Sequence, residues 1–169
     1  MFSNYLFSNY LREEDLSVKY TFHYLIMAEQ ALFQKELLAK LKGSGLTIGQ
    51  PKILDYLREH DGVNQKEIAR GCHIEPGTLT SILNRMEENH LVERRMLNGN
   101  RRSLHVFLTE QGKLQAKRVA LAFSQLEEEA FRNISEEERR TFMNLFYRIF
   151  QNSTDIMELE RGTDLTWKN

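Results

Sequence analysis

Arg94-Arg95-Met96-Leu97-Asn98-Gly99-Asn100-Arg101-Arg102 is the stretch that decides how this chain is read. Asn98-Gly99 supplies the positive φ angles that a tight two-strand turn demands, so the segment predicts a β-hairpin with a cationic tip. The strands extend over residues 91–96 and 104–108, and Leu104, Val106 and Leu108 alternate as a half-buried strand should. The arginines stand here without an acid between them, while Glu127 to Glu129 and Glu136 to Glu138 load the C-terminal part with negative charge. Such an asymmetry aims one face at a polyanion and repels it from the other. A solvated charged hairpin occurs in any soluble protein, so the order of elements around it must carry the reading.

Immediately upstream the sequence predicts a pair of short helices, residues 64–72 and 75–90. Asn64 caps the first, residues 65–71, with Glu67 at the capping-box position. Glu75 and Pro76 start the second, whose Leu79, Ile82, Leu83 and Met86 face inward. A helix pair followed by a basic hairpin is the layout of a winged helix-turn-helix, a module that grips DNA. A groove-entering helix must expose short polar side chains toward base edges. The outward positions of the second helix are Gly77, Thr78, Thr80, Ser81, Asn84 and Arg85, a small polar set free of acids until Glu87. Arg101 or Arg102 at the tip would enter a neighbouring minor groove, where narrow A·T-rich DNA concentrates negative potential. Arg94 and Arg95 alternate in direction, so at most one faces the DNA backbone and the other pairs with Glu93 or a nearby acid. The candidate DNA contacts are Gln65, Thr78, Thr80, Ser81, Asn84, Arg85, Arg94, Arg95, Asn100, Arg101 and Arg102. Taken singly, each hydroxyl or amide is equally well a tolerated polar residue on a solvated face.

Outward from this module the chain reads as helical. From about residue 15 to residue 42, Leu16, Tyr20, His23, Tyr24, Met27 and Ala31 recur at helical spacing and Leu37, Leu38 and Leu41 continue the stripe, until Gly43-Ser44-Gly45 ends it. Thr47 is the expected cap of the next helix, with Pro51 in its first turn, Ile53, Leu54 and Leu57 on its apolar face and Asp61-Gly62 as its stop. Thr109 opens a long helix to about residue 132, and Ser135 with Glu138 forms a capping box for the last one. That last helix carries Phe142, Leu145, Phe146, Ile149, Phe150 and Ile156. Long apolar helices at both ends of a small subunit have little to cover them, which predicts a homodimer built from the first and last helices. Phe-Ser-Asn-Tyr-Leu occurs twice in succession, at residues 2–6 and 7–11, as an aromatic arm or a strap on a partner subunit. The predicted class is mainly α with a small β-hairpin. Residues 1–44 form an arm and dimerisation helix, 45–110 the winged helix-turn-helix, and 111–169 the C-terminal dimerisation helices.

Composition bounds the function further. At 28% charged and 41% apolar residues, with two prolines, the chain is of ordinary globular type, and no uncharged apolar run approaches the roughly 18 residues of a membrane span. The first residues lack a basic leader and a continuous apolar centre, so the expected location is the cytoplasm. A single cysteine, Cys72, excludes an internal disulfide framework. His23, His60, His73, His90 and His105 show no metal-ligand spacing, and no cofactor is expected. There is no glycine-rich phosphate loop, nucleophile elbow or paired-carboxylate site, which leaves an enzyme reading without support.

With these residues in hand, the chain resembles the MarR family of bacterial and archaeal regulators. The landmarks are Leu46-Thr47 with Gln50, Gln65-Lys66-Glu67-Ile68-Ala69, Thr78-Leu79-Thr80 and Arg85-Met86-Glu87. They continue through Leu91-Val92-Glu93-Arg94-Arg95, Asn100-Arg101-Arg102 and Leu108-Thr109-Glu110-Gln111-Gly112. The resemblance implies a homodimer whose two winged helices read a pseudo-palindromic operator in double-stranded DNA, most often as a repressor. It also implies relief by a small aromatic or amphipathic effector, held in a cleft between the first, second and fifth helices. Tyr20, His23, Tyr24, Met27 and Tyr56 are the candidates to line that cleft, and each is equally well ordinary core. Two departures stand out. The family's wing-tip acid is replaced here by Asn100, and His73-Ile74 stands where many helix-turn-helix proteins carry glycine. The alternatives are a winged-helix module that binds a protein and no DNA, and a thiol-based redox sensor using Cys72.

Overall fold

The computed structural model describes residues 20–96 and 104–163. The duplicated N-terminal segment and the hairpin tip, with Asn100, Arg101 and Arg102, lie outside these residues. In chain order the described elements are α1 (Phe22–Lys40), α2 (Gln50–Glu59), β1 (Val63–Asn64), α3 (Gln65–Gly71) and α4 (Pro76–Glu88). They are followed by β2 (Val92–Met96), β3 (Leu104–Leu108), α5 (Glu110–Ala130) and α6 (Glu136–Thr163). The fold is mainly helical with one small antiparallel sheet, as the sequence predicts. The chain divides after Leu126 into two compact units.

The first unit closes on one apolar core. Ile53, Leu54 and Leu57 of α2, Ile68 of α3, and Leu79, Leu83 and Met86 of α4 meet Val92 and Val106 of the sheet there. Leu37 of α1 and Val119 of α5 join the same cluster. Ile82, expected to face inward, packs against this core while only partly buried. Of the alternating residues in β3, Val106 and Leu108 are buried, but Leu104, paired with Met96 at the end of the strands nearest their connection, is 37% exposed.

Three local expectations are corrected. Among the described residues the first helix starts at Phe22, after an extended Thr21 (φ −76°, ψ 154°), so the expected stripe is broken there, and its residues 15–19 lie outside the described residues. The second helix is capped by Gly49 (φ 89°) and not by Thr47. The left-handed φ at residue 49 favours glycine, and a Cβ there would also have to displace Cδ1 of Ile82, 2.8 Å away. Thr47 still takes part, donating its backbone N–H to Oε1 of buried Gln50 at 2.8 Å. The sheet also holds a third strand, in the order β1-β3-β2, with Val63 opposite Val106 and Asn64 opposite His105.

Histidine takes the left-handed position after two helices, where glycine is the favoured residue. His73 follows α3 at φ 48°, with His73 N–H bonded to Arg70 O (3.2 Å) and Ile74 N–H to Ala69 O (2.9 Å). His90 follows α4 at φ 55°, with His90 N–H to Glu87 O (2.9 Å) and Leu91 N–H to Met86 O (2.8 Å). Both are Schellman closures, in which two backbone bonds satisfy carbonyls that the helix leaves open. A left-handed backbone costs a non-glycine residue about 1 kcal/mol. We therefore expect His90→Gly to stabilise the fold by about 0.5–1 kcal/mol, raising the urea midpoint at unchanged slope. A lowered midpoint would show that the imidazole makes contacts worth more than the strain.

Candidate nucleic-acid interface

Asn64 positions the first helix of the pair through a reciprocal capping box. Its Oδ1 accepts from Glu67 N–H (3.0 Å), and its own N–H donates to Glu67 Oε2 (2.9 Å). The left-handed turn at His73 then redirects the chain, and Pro76 opens α4 in the first turn, where its missing N–H does no harm. One side of α4 is buried through Leu79, Leu83 and Met86. The opposite side exposes Gly77, Thr78, Thr80, Ser81, Asn84 and Arg85 together. The hydroxyls of Thr80 and Ser81 donate back to the carbonyls of Pro76 (2.9 Å) and Gly77 (3.3 Å). Their oxygens remain as outward acceptors until a stronger acceptor turns the protons away from the helix.

The two strand arginines point to opposite faces of the sheet, as period two requires. Arg95 lies across from His105 and Glu93 across from Phe107 on one face. There Arg95 forms an ion pair with Glu93, and its guanidinium sits 5.1 Å from the Phe107 ring centroid. This is the Glu93 pairing that the sequence predicts for one of the two. Arg94 lies across from Val106 on the face that meets α4. Its Nε and Nη2 donate to Glu87 Oε2 (3.0 and 2.5 Å), and its backbone N–H donates to Glu87 Oε1 (3.1 Å). Nη2 also donates to Asn84 Oδ1 at 2.7 Å. Only 17% of the Arg94 side chain is exposed, so Arg94 is held against α4, while Arg95 stays 57% exposed beside Glu93. Hydrogen bonding from Arg94 holds the Glu87 carboxyl below its ordinary pKa. The acid that interrupts the polar face of α4 is thereby neutralised from within.

The comparisons agree with this geometry. The MarR family model matches residues 46–104. The HTH-type transcriptional regulator YwoH of Bacillus subtilis is 30% identical over 120 residues, spanning 71% of this chain and 87% of that protein. The chain belongs to the MarR family. The HTH-type transcriptional repressor MdtR of the same organism is 31% identical over 93 residues, covering 53% of this chain and 60% of MdtR's length. The S. aureus MepR–DNA complex shares the fold at a TM-score of 0.73 and 22% identity, over 79% of this chain and 98% of that one.

The remaining candidates in this MarR-family chain are placed as follows. Gln65 is half-buried, and its Nε2 is sealed from solvent with no hydrogen-bond partner among the described residues. Of the effector candidates, Tyr20 and Tyr24 stack at 5.5 Å, while His23, Tyr24 and Met27 are exposed on α1. Tyr56 belongs to another cluster, stacked on His60 at 4.4 Å with its ring over Gly71. Glu87, which in the sequence only ends the acid-free stretch of the second helix, is the acid that holds Arg94.

Cys72 caps α3 with 1% of its surface exposed, and its Sγ lies 3.8 Å from the Lys52 carbonyl. Burial pushes its pKa up to about 11, so the thiol stays protonated at neutral pH. Only the thiolate is a nucleophile, which removes the basis for the redox-sensor alternative. We expect Cys72 in the folded protein to resist iodoacetamide at pH 7.5 and to react once the chain is unfolded in urea. Rapid labelling of the native protein would restore the sensor reading. Among the described residues no three His, Cys, Asp or Glu side chains gather as metal ligands, and no helix is long and apolar enough to cross a membrane.

Proposed function

We propose that this chain is a cytoplasmic, sequence-specific DNA-binding regulator of transcription without enzymatic activity, acting as a repressor on a pseudo-palindromic operator. The observation that carries this reading is the acid-free outward face of α4, Gly77 to Arg85, set beside a hairpin whose sequence tip is cationic. Its support from relatives is the name of MdtR, a repressor, and the fold shared with a MepR–DNA complex. In this reading residues 45–110 meet the DNA, Thr78, Thr80, Ser81 and Arg85 contact phosphates and base edges, and Arg101 and Arg102 of the tip enter the minor groove.

The active species is a homodimer. Phe142, Leu145, Phe146, Ile149 and Phe150 of α6 are exposed, as are Phe22, Leu25 and Met27 of α1. A second copy is the occupant that fits, because two-fold symmetry in the protein matches two half-sites in the operator. A small aromatic or amphipathic effector, held against Tyr20, His23, Tyr24 and Met27, relieves repression by favouring a dimer whose two reading helices no longer match the half-site spacing.

The test is a gel-shift titration with the promoter region of the protein's own gene at several salt concentrations. Binding is expected to weaken linearly on a log–log salt plot, with a slope near 0.9 per neutralised phosphate. Replacing Arg101 and Arg102 together with alanine should weaken binding to all sequences and flatten that slope. Affinity indifferent to salt, or unchanged by the double substitution, would overturn the reading in favour of a protein-binding winged helix.

A further inference from the structure

The bond from Arg94 to Asn84 changes what Asn84 is able to read. Asn84 lies on the same outward stripe of α4 as Gly77 and Ser81, at helical spacings of seven and three residues, and its side chain is exposed. A free asparagine recognises adenine bidentately, accepting from N6 through its oxygen while donating to N7 through its nitrogen. Here the oxygen is already engaged by Arg94 Nη2 at 2.7 Å. Because arginine only donates, this contact also settles which amide atom faces the guanidinium. Oδ1 therefore faces the strand, and the positive charge beside it disfavours the approach of a second donor such as the adenine amino group. Glu87 Oε2 accepts from Nε and Nη2 of the guanidinium while its Oε1 accepts from the Arg94 backbone N–H, so Asn84 and Arg94 do not rotate independently.

We propose that Arg94 is a positioning residue that fixes Asn84 as a donor-only reader, so that Asn84 selects base edges bearing guanine O6 or thymine O4 over adenine, whose amino group is a donor at that place. The inference rests on the DNA-binding reading above and deepens it. It assigns a base preference to one residue and removes Arg94 from the list of phosphate contacts.

The experiment is selection from a random duplex pool by the full-length protein, followed by affinity measurements at several salt concentrations. The native protein should enrich a symmetric site that contains, in each half, one position where guanine or thymine exceeds adenine about tenfold. Asn84→Ala should abolish the preference at that position alone. Arg94→Met should raise adenine there to parity or above while leaving the salt slope unchanged, since no phosphate contact is lost. Glu87→Gln, which keeps the arginine but loosens its hold, should shift the preference the same way and guards against a folding defect in the Arg94 variant. Adenine favoured by the native protein at the Asn84-dependent position would overturn the proposal. So would an Asn84→Ala profile identical to native, or a slope that falls by about one in Arg94→Met, the mark of a phosphate-bound guanidinium. If the native protein enriches no sequence at all, the DNA-binding reading itself falls and carries this inference with it.

Discussion

Replacing Gly112 with alanine is expected to destabilise the protein by about 3 kcal/mol, which for a chain of this size lowers the melting temperature by about 10 °C. A Cβ at residue 112 would sit 1.9 Å from the carbonyl oxygen of Leu91 and 2.9 Å from its carbonyl carbon. Neither neighbour is a flexible side-chain end that swings aside. The Leu91 carbonyl already accepts from Thr109 N–H at 3.1 Å, and Leu91 N–H is tied to Met86 O. Thr109 completes the joint, its hydroxyl accepting from Gly112 N–H at 3.0 Å and donating to the His90 carbonyl. An added methyl group must therefore push α5 away from the segment that links α4 to β2 and break the cap that starts the helix. Thermal unfolding followed by circular dichroism measures the effect. A melting temperature within about 2 °C of native would show that α5 yields at this contact at little cost.

Placing glutamate at both Leu145 and Ile149 is expected to convert the proposed dimer to a monomer and to lower affinity for the proposed operator about 100-fold. Both residues are exposed in the single chain, at 51% and 39%, and sit one helical turn apart on α6. Neither belongs to the ring contacts of this unit, where Phe131 meets Phe142 edge-on at 5.8 Å and Phe142 stacks on Phe146 at 5.5 Å. The helix start is likewise untouched, since Ser135 N–H donates to Glu138 Oε2 at 2.8 Å. The substitutions thus leave the described packing of the subunit intact. In a two-fold seam, however, each would carry a carboxylate into an apolar contact against its symmetry mate, which is strongly unfavourable. Loss of the second subunit then removes the effective concentration that couples two half-site contacts, worth two to four orders of magnitude. Sedimentation velocity and operator titration read the two effects separately. A persistent dimer with native affinity would place the seam elsewhere; a monomer that still binds with native affinity would show that one winged helix suffices.

The parts of this architecture that the sequence by itself determined are those whose causes lie within a few residues. The Asn64–Glu67 and Ser135–Glu138 capping boxes, Pro76 in the first turn of α4 and the inward stripe of Leu79, Leu83 and Met86 are all local, and they formed as read. The outward polar set on α4 followed from that stripe, since a helix that buries one side must expose the other. The tertiary structure decided what depends on distant segments meeting. β1 is two residues long and has no alternation to detect; it is a strand because Val63 and Asn64 reach Val106 and His105. Gly49 caps α2 with a left-handed backbone at a point where Ile82 of α4 packs close to the position a Cβ would take. Arg94 shows the division most clearly. Its charge and strand parity were legible, but its partners Glu87 and Asn84 lie seven and ten residues back on a helix, and only the fold of β2 against α4 brings them within hydrogen-bonding distance.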